Sequence, residues 1–109
     1  MLQRNQSQPQ TLAFTVINAE TGIGIRNARF DLYKDNRRIS SSQSDADGRV
    51  TFGSLAAGAY RLIQTTFPEQ LRGLSVQYDI RLDNHGVVRL GGEVVRAMRV
   101  LNFPKRVKA

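Results

Sequence analysis

The stretch Asp45 to Tyr60, DADGRVTFGSLAAGAY, leaves a chain little choice but short antiparallel strands. Asp47-Gly48 supplies the left-handed backbone of a tight turn, so a hairpin corner is expected there. Arg49-Val50-Thr51-Phe52 alternates polar and apolar residues, as a strand with one buried face does. Gly53 and Gly58 read as the two sides of a tight connection, and Ala59 to Ile63 opens the next strand.

The same punctuation runs through the rest of the chain. Met1–Gln10, rich in Gln, Asn and Ser, reads as a leader or inter-domain linker. From Thr11 onward Leu12, Phe14 and Val16 share one parity, the signature of a first strand with an inner face. Ala28, Phe30 and Leu32 repeat it, with Arg29, Asp31 and Tyr33 turned outward. Lys34 to Arg37 forms a polar hairpin turn. Arg38 to Ser44 has little to pack, which predicts an edge strand or one that is short and irregular. Phe67 to Gly73 contains Pro68 and reads as a loop with room for one helical turn. Val76, Tyr78, Ile80 and Leu82 alternate again, Val87 to Leu90 gives a short partner, Gly91-Gly92 a corner, and Val94 to Asn102 a last strand. No stretch has the 3.6-residue periodicity of a helix. Seven or eight short strands with Gly or Pro corners predict an all-β, Greek-key, immunoglobulin-like sandwich over 11–103, followed by a basic tail, 104–109.

Composition limits the function classes. At 109 residues and 40% hydrophobic content the chain suits one thin, two-layer domain. It has no Cys, which excludes disulfides, a thiolate nucleophile and cysteine-bound metal. No apolar run is long enough to span a bilayer as a helix, and neither a signal peptide nor a sorting signal is legible. The net charge of +7 would attract polyanions. The basic residues are scattered, however, apart from the Lys105-Arg106-Val107-Lys108 tail.

In this setting a family resemblance emerges. Thr21-Gly22 followed by Asn27-Ala28-Arg29-Phe30-Asp31-Leu32-Tyr33 resembles the "TG…l.gA.F.ly" opening of a known module. Asp45 to Phe52 with Leu55, Gly58 and Tyr60 resembles its "T..dG.v.f..L..G.Y" centre, and Leu62 with Thr65 to Pro68 its "l.Et.aP" continuation. The module is the prealbumin-like B-type domain of the Gram-positive collagen adhesin, found also in SpaA-type pilins. The likeness runs from about Leu12 to Asn102. It implies a non-enzymatic unit of a longer cell-surface or cell-wall protein, acting as spacer, stalk or adhesive domain beside neighbouring domains. An extracellular-matrix protein or glycan is the partner class such a unit takes; specific nucleic acid is not expected, nor any cofactor.

Many members of that family join a first-strand Lys to a last-strand Asn through an isopeptide bond, with a nearby Glu or Asp as catalyst. A buried apolar site keeps the amine neutral and nucleophilic and the acid protonated. Carried onto this chain, the Lys position falls on Val16, the acid position on Gln64 and the Asn on Asn102. Val16 and Gln64 have inward parity, yet Val16 has no amine and Gln64 no acidic proton, so the resemblance implies an uncrosslinked member. Lys34, read with outward parity at a turn, and Lys105 and Lys108 in the tail do not replace the missing amine. Asn102 either hydrogen-bonds Gln64 across the core or is an ordinary strand-end residue.

The remaining candidates are weaker. Arg37 and Arg38, with Lys105, Arg106 and Lys108, form the alternative reading of a polyanion-binding module for glycosaminoglycan, wall polymer or nucleic acid. His85 stands alone in an Asp83-Asn84-His85-Gly86 turn. Asp35, Asp45 and Asp47 lack the later ligands of a calcium loop, so no metal site is expected. Ser40, Ser41 and Ser42 lack a nucleophile elbow, and no Gly-rich phosphate loop precedes a helix. Of Tyr33, Tyr60 and Tyr78 only Tyr33 has outward parity, too few for a base-stacking platform.

Overall fold

A computed structural model describes residues 9–68, 71–73 and 77–104. Ten strands are present among them: β1 (Gln10–Asn18), β2 (Arg29–Lys34), β3 (Arg37–Gln43), β4 (Arg49–Leu55), β5 (Gly58–Thr66), β6 (Leu71–Gly73), β7 (Gln77–Leu82), β8 (Val88–Leu90), β9 (Glu93–Val95) and β10 (Arg99–Pro104). They form a four-stranded sheet, β4-β1-β10-β6, and a six-stranded sheet, β3-β2-β5-β7-β8-β9. Pairings are antiparallel except that of β1 with β10, which run parallel, Val16 beside Val100 and Asn18 beside Asn102.

The core lies between the sheets and follows the parity of the sequence. Leu12, Phe14 and Val16 from β1 meet Phe30 and Leu32 from β2 and Tyr60 and Leu62 from β5, all buried. The Phe14 and Phe30 rings meet edge to face at 5.0 Å. Tyr78 is only partly buried against this core, and β3 is an edge strand as its serine run predicts.

Two corners share one construction. In Asp45-Ala46-Asp47-Gly48 the Asp45 carboxylate accepts from the Asp47 and Arg49 amides, both at 2.9 Å, and the Gly48 amide donates to the Asp45 carbonyl. Asp83-Asn84-His85-Gly86 repeats it: Asp83 accepts from the His85 and Val87 amides at 2.8 and 2.9 Å. Gly48 and Gly86 both have φ of 81°, open to glycine at little cost. The amide of Arg49, then that of Asp47, holds the Asp45 carboxyl below its ordinary value; Val87, then His85, does the same for Asp83. A carboxylate whose folded pKa is depressed stabilises the fold above its unfolded value, near 4, and loses that contribution as pH falls through the folded value. Denaturant unfolding followed down an acid series should therefore show a decline below about pH 4. Asp45→Asn and Asp83→Asn together should flatten it, because an amide oxygen still accepts but does not titrate.

Gly48 also explains how the first corner is placed. A Cβ there would lie 2.4 Å from the Val16 carbonyl oxygen, and one on Gly24 would lie 2.1 Å from the Asp47 carbonyl oxygen. Backbone thus packs on backbone beside β1. The Val16 amide donates to Gly48 and its carbonyl accepts from Ile25.

Four sequence expectations change in detail. Gly53 is not a corner: it lies inside β4, and the irregularity is Ser54, at φ 57°, where the β1–β4 register slips. The segment read as a loop after Pro68 includes β6, which pairs with the end of β10. The last strand is two. β9 belongs to the six-stranded sheet, and the chain then crosses at Arg96-Ala97-Met98 to enter the four-stranded sheet as β10. These short pieces raise the strand number from seven or eight to ten. Lys34 continues the parity of Phe30 and Leu32 rather than pointing outward, and its amine sits 4.8 Å from the centre of the Tyr60 ring. Val76 lies outside the described residues.

Candidate functional site

Among the described residues Asp31, Ser44, Gln64 and Asn102 are the buried polar ones, and the last two meet between the sheets. Gln64 and Asn102 are 2% and 0% exposed, figures otherwise typical here of the aliphatic core. Gln64 stands on β5 in the six-stranded sheet and Asn102 on β10 in the other. The two carboxamides close a ring across the sandwich: Gln64 Nε2 donates to Asn102 Oδ1 at 2.8 Å, and Asn102 Nδ2 donates to Gln64 Oε1 at 3.0 Å. The second Gln64 hydrogen goes to the Thr66 carbonyl at 3.1 Å. A buried amide costs stability unless its groups are paired, and here each partner satisfies the other.

Local sequence explains the placement. Gln64 follows Tyr60 and Leu62 with the period of two that carries every second β5 side chain inward. Asn102 follows Val100 in the same way, and the parallel register puts Val100 beside Val16, which is fully buried. The three positions Val16, Gln64 and Asn102 therefore belong to one interior, but with an aliphatic side chain and two neutral amides. An amide pair orients groups across a core; it supplies neither a nucleophile nor a titrating acid. Lys34 lies at the Tyr60 end of β5, four residues from Gln64 and so about 13 Å along the strand.

The amide ring has an asymmetric energetic role. Gln64→Leu leaves the Asn102 amide buried without its partner and should cost about 1–3 kcal/mol. Gln64→Leu with Asn102→Leu removes both polar groups and should recover part of that loss. Chemical denaturation of the three proteins checks the ordering.

The other sequence candidates are dispersed. Arg37 and Arg38 open the edge strand β3, where Arg38 lies 3.7 Å from the buried Asp31 carboxylate, itself hydrogen-bonded by Ser41. Lys105, Arg106 and Lys108 lie outside the described residues. His85 is an exposed turn residue, and among the described residues no three His, Asp or Glu side chains converge as a metal site would need. Asp45 contributes to a corner through its side chain, and Asp35, at φ 54°, is part of the β2–β3 turn. The Tyr60 hydroxyl donates to the Ala56 carbonyl, closing the β4–β5 connection, which accounts for the Leu55-to-Tyr60 motif in mechanical detail. Arginines are found on both outer faces. Arg49 and Arg99 flank Thr15 on the four-stranded sheet, and a second group stands on the other.

The sequence matches a protein family, SpaA, described as "Prealbumin-like fold domain", over residues 10–93, which run from the start of β1 to the start of β9. The chain belongs to this family. Among solved structures, the shaft pilin SpaA of Lactobacillus rhamnosus GG is similar with a TM-score of 0.73 at 14% identity, covering 95% of this chain and 50% of that one. The C-terminal fragment of the pilus adhesin SpaC from the same organism gives 0.72 at 17% identity, with 94% and 48% covered. The pilus 2b backbone protein of group B streptococcus gives 0.68 at 17% identity, with 88% and 41% covered. This SpaA-family chain thus spans about half the length of those proteins or less, and at such identities the likeness is one of fold. No curated protein matches it.

Proposed function

We propose that this SpaA-family domain is a non-enzymatic structural or adhesive module of a Gram-positive cell-surface protein, and that it carries no internal isopeptide bond. The surface assignment is supported by the family match and by the pilins that share the fold. Its partners on this reading are the adjoining domains of a longer protein and other subunits of a surface assembly. The single observation behind the uncrosslinked state is the Gln64–Asn102 ring: the carboxamide an amine would attack is held by another amide, and Val16 offers no amine.

Intact mass spectrometry tests it. The folded protein should have the mass of its full chain, and a mass lower by one ammonia would overturn the reading. The polyanion alternative built on Arg37, Arg38 and the tail has less support, since Arg38 is engaged by Asp31.

A further inference from the structure

The outer face of the six-stranded sheet holds a cleft unrelated to the amide pair. The register sets Arg81 of β7 directly opposite Arg89 of β8, and Arg61 of β5 opposite Asp79 of β7. Ile80 and Leu82 are buried and Val88 and Leu90 pack against the core, so the intervening Arg81 and Arg89 stand on the outer face. Ala59, opposite Arg81, adds little bulk, and neither does Gly91-Gly92. What remains is a recess of about 400 Å³ with Tyr33, Arg61, Arg81 and Arg89 among its walls.

Two features point to a ligand. Like charges directly opposite on antiparallel strands destabilise the pair. Arg89 is partly offset by Asp83 at 3.9 Å, whereas the Arg81 side chain makes no hydrogen bond or ion pair among the described residues. The lining is also chemically mixed: Asp35, Asn36 and Asp79 share the recess with the arginines. Arg61 is already positioned, 3.2 Å from Asn36 Oδ1 and 5.4 Å from the centre of the Tyr33 ring.

We propose that this cleft binds a uronic-acid polysaccharide. A sugar carboxylate seats between Arg81 and Arg89, where guanidinium groups meet it with paired hydrogen bonds. Ring hydroxyls donate to Asp35 and Asp79 and accept from Arg61, using donors and acceptors together. The backbone of a DNA strand has no hydroxyl to offer Asp35 and Asp79 beside each phosphate, so it leaves those two carboxylates without a donor. The proposal extends the surface-module reading but fails or stands separately from it, because the intact mass does not depend on this face.

The test is calorimetric titration of the 109-residue chain with a short oligogalacturonate at physiological salt, beside maltohexaose and single-stranded oligo-dT. Saturable binding of the oligogalacturonate is expected, with no binding of the neutral sugar. Arg81→Gln and Arg89→Gln should each weaken it about tenfold or more, the value of one charge-assisted contact. Arg99→Gln, an equal loss of charge on the opposite sheet, should leave it unchanged. Arg81→Gln should melt no lower than the parent, since it relieves repulsion. Absence of saturable binding, equal weakening by Arg99→Gln, or tighter binding of oligo-dT would overturn the proposal. A lowered melting temperature in Arg81→Gln would make the arginine pair a structural element and overturn it too.

Discussion

Val16→Lys combined with Gln64→Glu should produce a protein lighter than its chain by one ammonia and markedly harder to melt. The lysine would stand where Val16 is now fully buried, on the strand beside β10, and the acid would face Asn102 from the opposite sheet. In that apolar setting the amine is favoured neutral and the acid protonated. Lys Nζ then attacks the Asn102 side-chain carbonyl carbon, the bond to Nδ2 breaks, and ammonia leaves as the acid relays the proton. The resulting link closes most of the chain into one loop, worth about 4–5 kcal/mol by the chain-entropy reckoning used for disulfides. Each single variant is the control. Val16→Lys alone buries an unpaired amine and should destabilise, and Gln64→Glu alone has no nucleophile. Unchanged mass in the double variant would mean that Val16 does not occupy the reactive position of the family.

Phe30→Ala should cost about 3–5 kcal/mol, the range for truncating a fully buried phenylalanine. Phe30 is 0% exposed, and its loss empties the space beside the edge-on Phe14 ring. That is a large part of the roughly 5–15 kcal/mol that holds an ordinary domain folded. Urea unfolding should show the midpoint falling with little change in slope; a near-wild-type midpoint would place Phe30 outside the core.

Side-chain parity was the most legible layer of this fold. Leu12, Phe14 and Val16, or Tyr60, Leu62 and Gln64, announce their inner faces because strand geometry alternates whatever the partner strand is. The buried position of Gln64 followed from that alone. Partner choice did not follow, because hydrogen-bonding partners leave no local signal. Val94 to Asn102 alternates well enough to pass for one strand, yet the chain changes sheets at Met98. Leu71–Gly73 is too short to announce itself and becomes a strand because β10 offers it an edge. Gly53 looked like a turn, but the bulge at Ser54 absorbs the irregularity without ending the strand. The arginines at 61, 81 and 89 stand apart in the sequence; only the register of β5, β7 and β8 makes them neighbours.

The parallel pairing of β1 with β10 has a mechanical consequence. β1 enters its ladder at the Gln10 end and β10 leaves it at Pro104, so the two exits point to opposite ends of the shared edge. Tension applied between them pulls the strands lengthwise past one another. The hydrogen bonds from Thr15 through Asn18 are then loaded together in shear, not opened one at a time as in an unzipped hairpin. The amide ring from Asn102 to Gln64 ties the sliding strand to the opposite sheet. A lengthwise load on this domain therefore meets a set of bonds that must fail together.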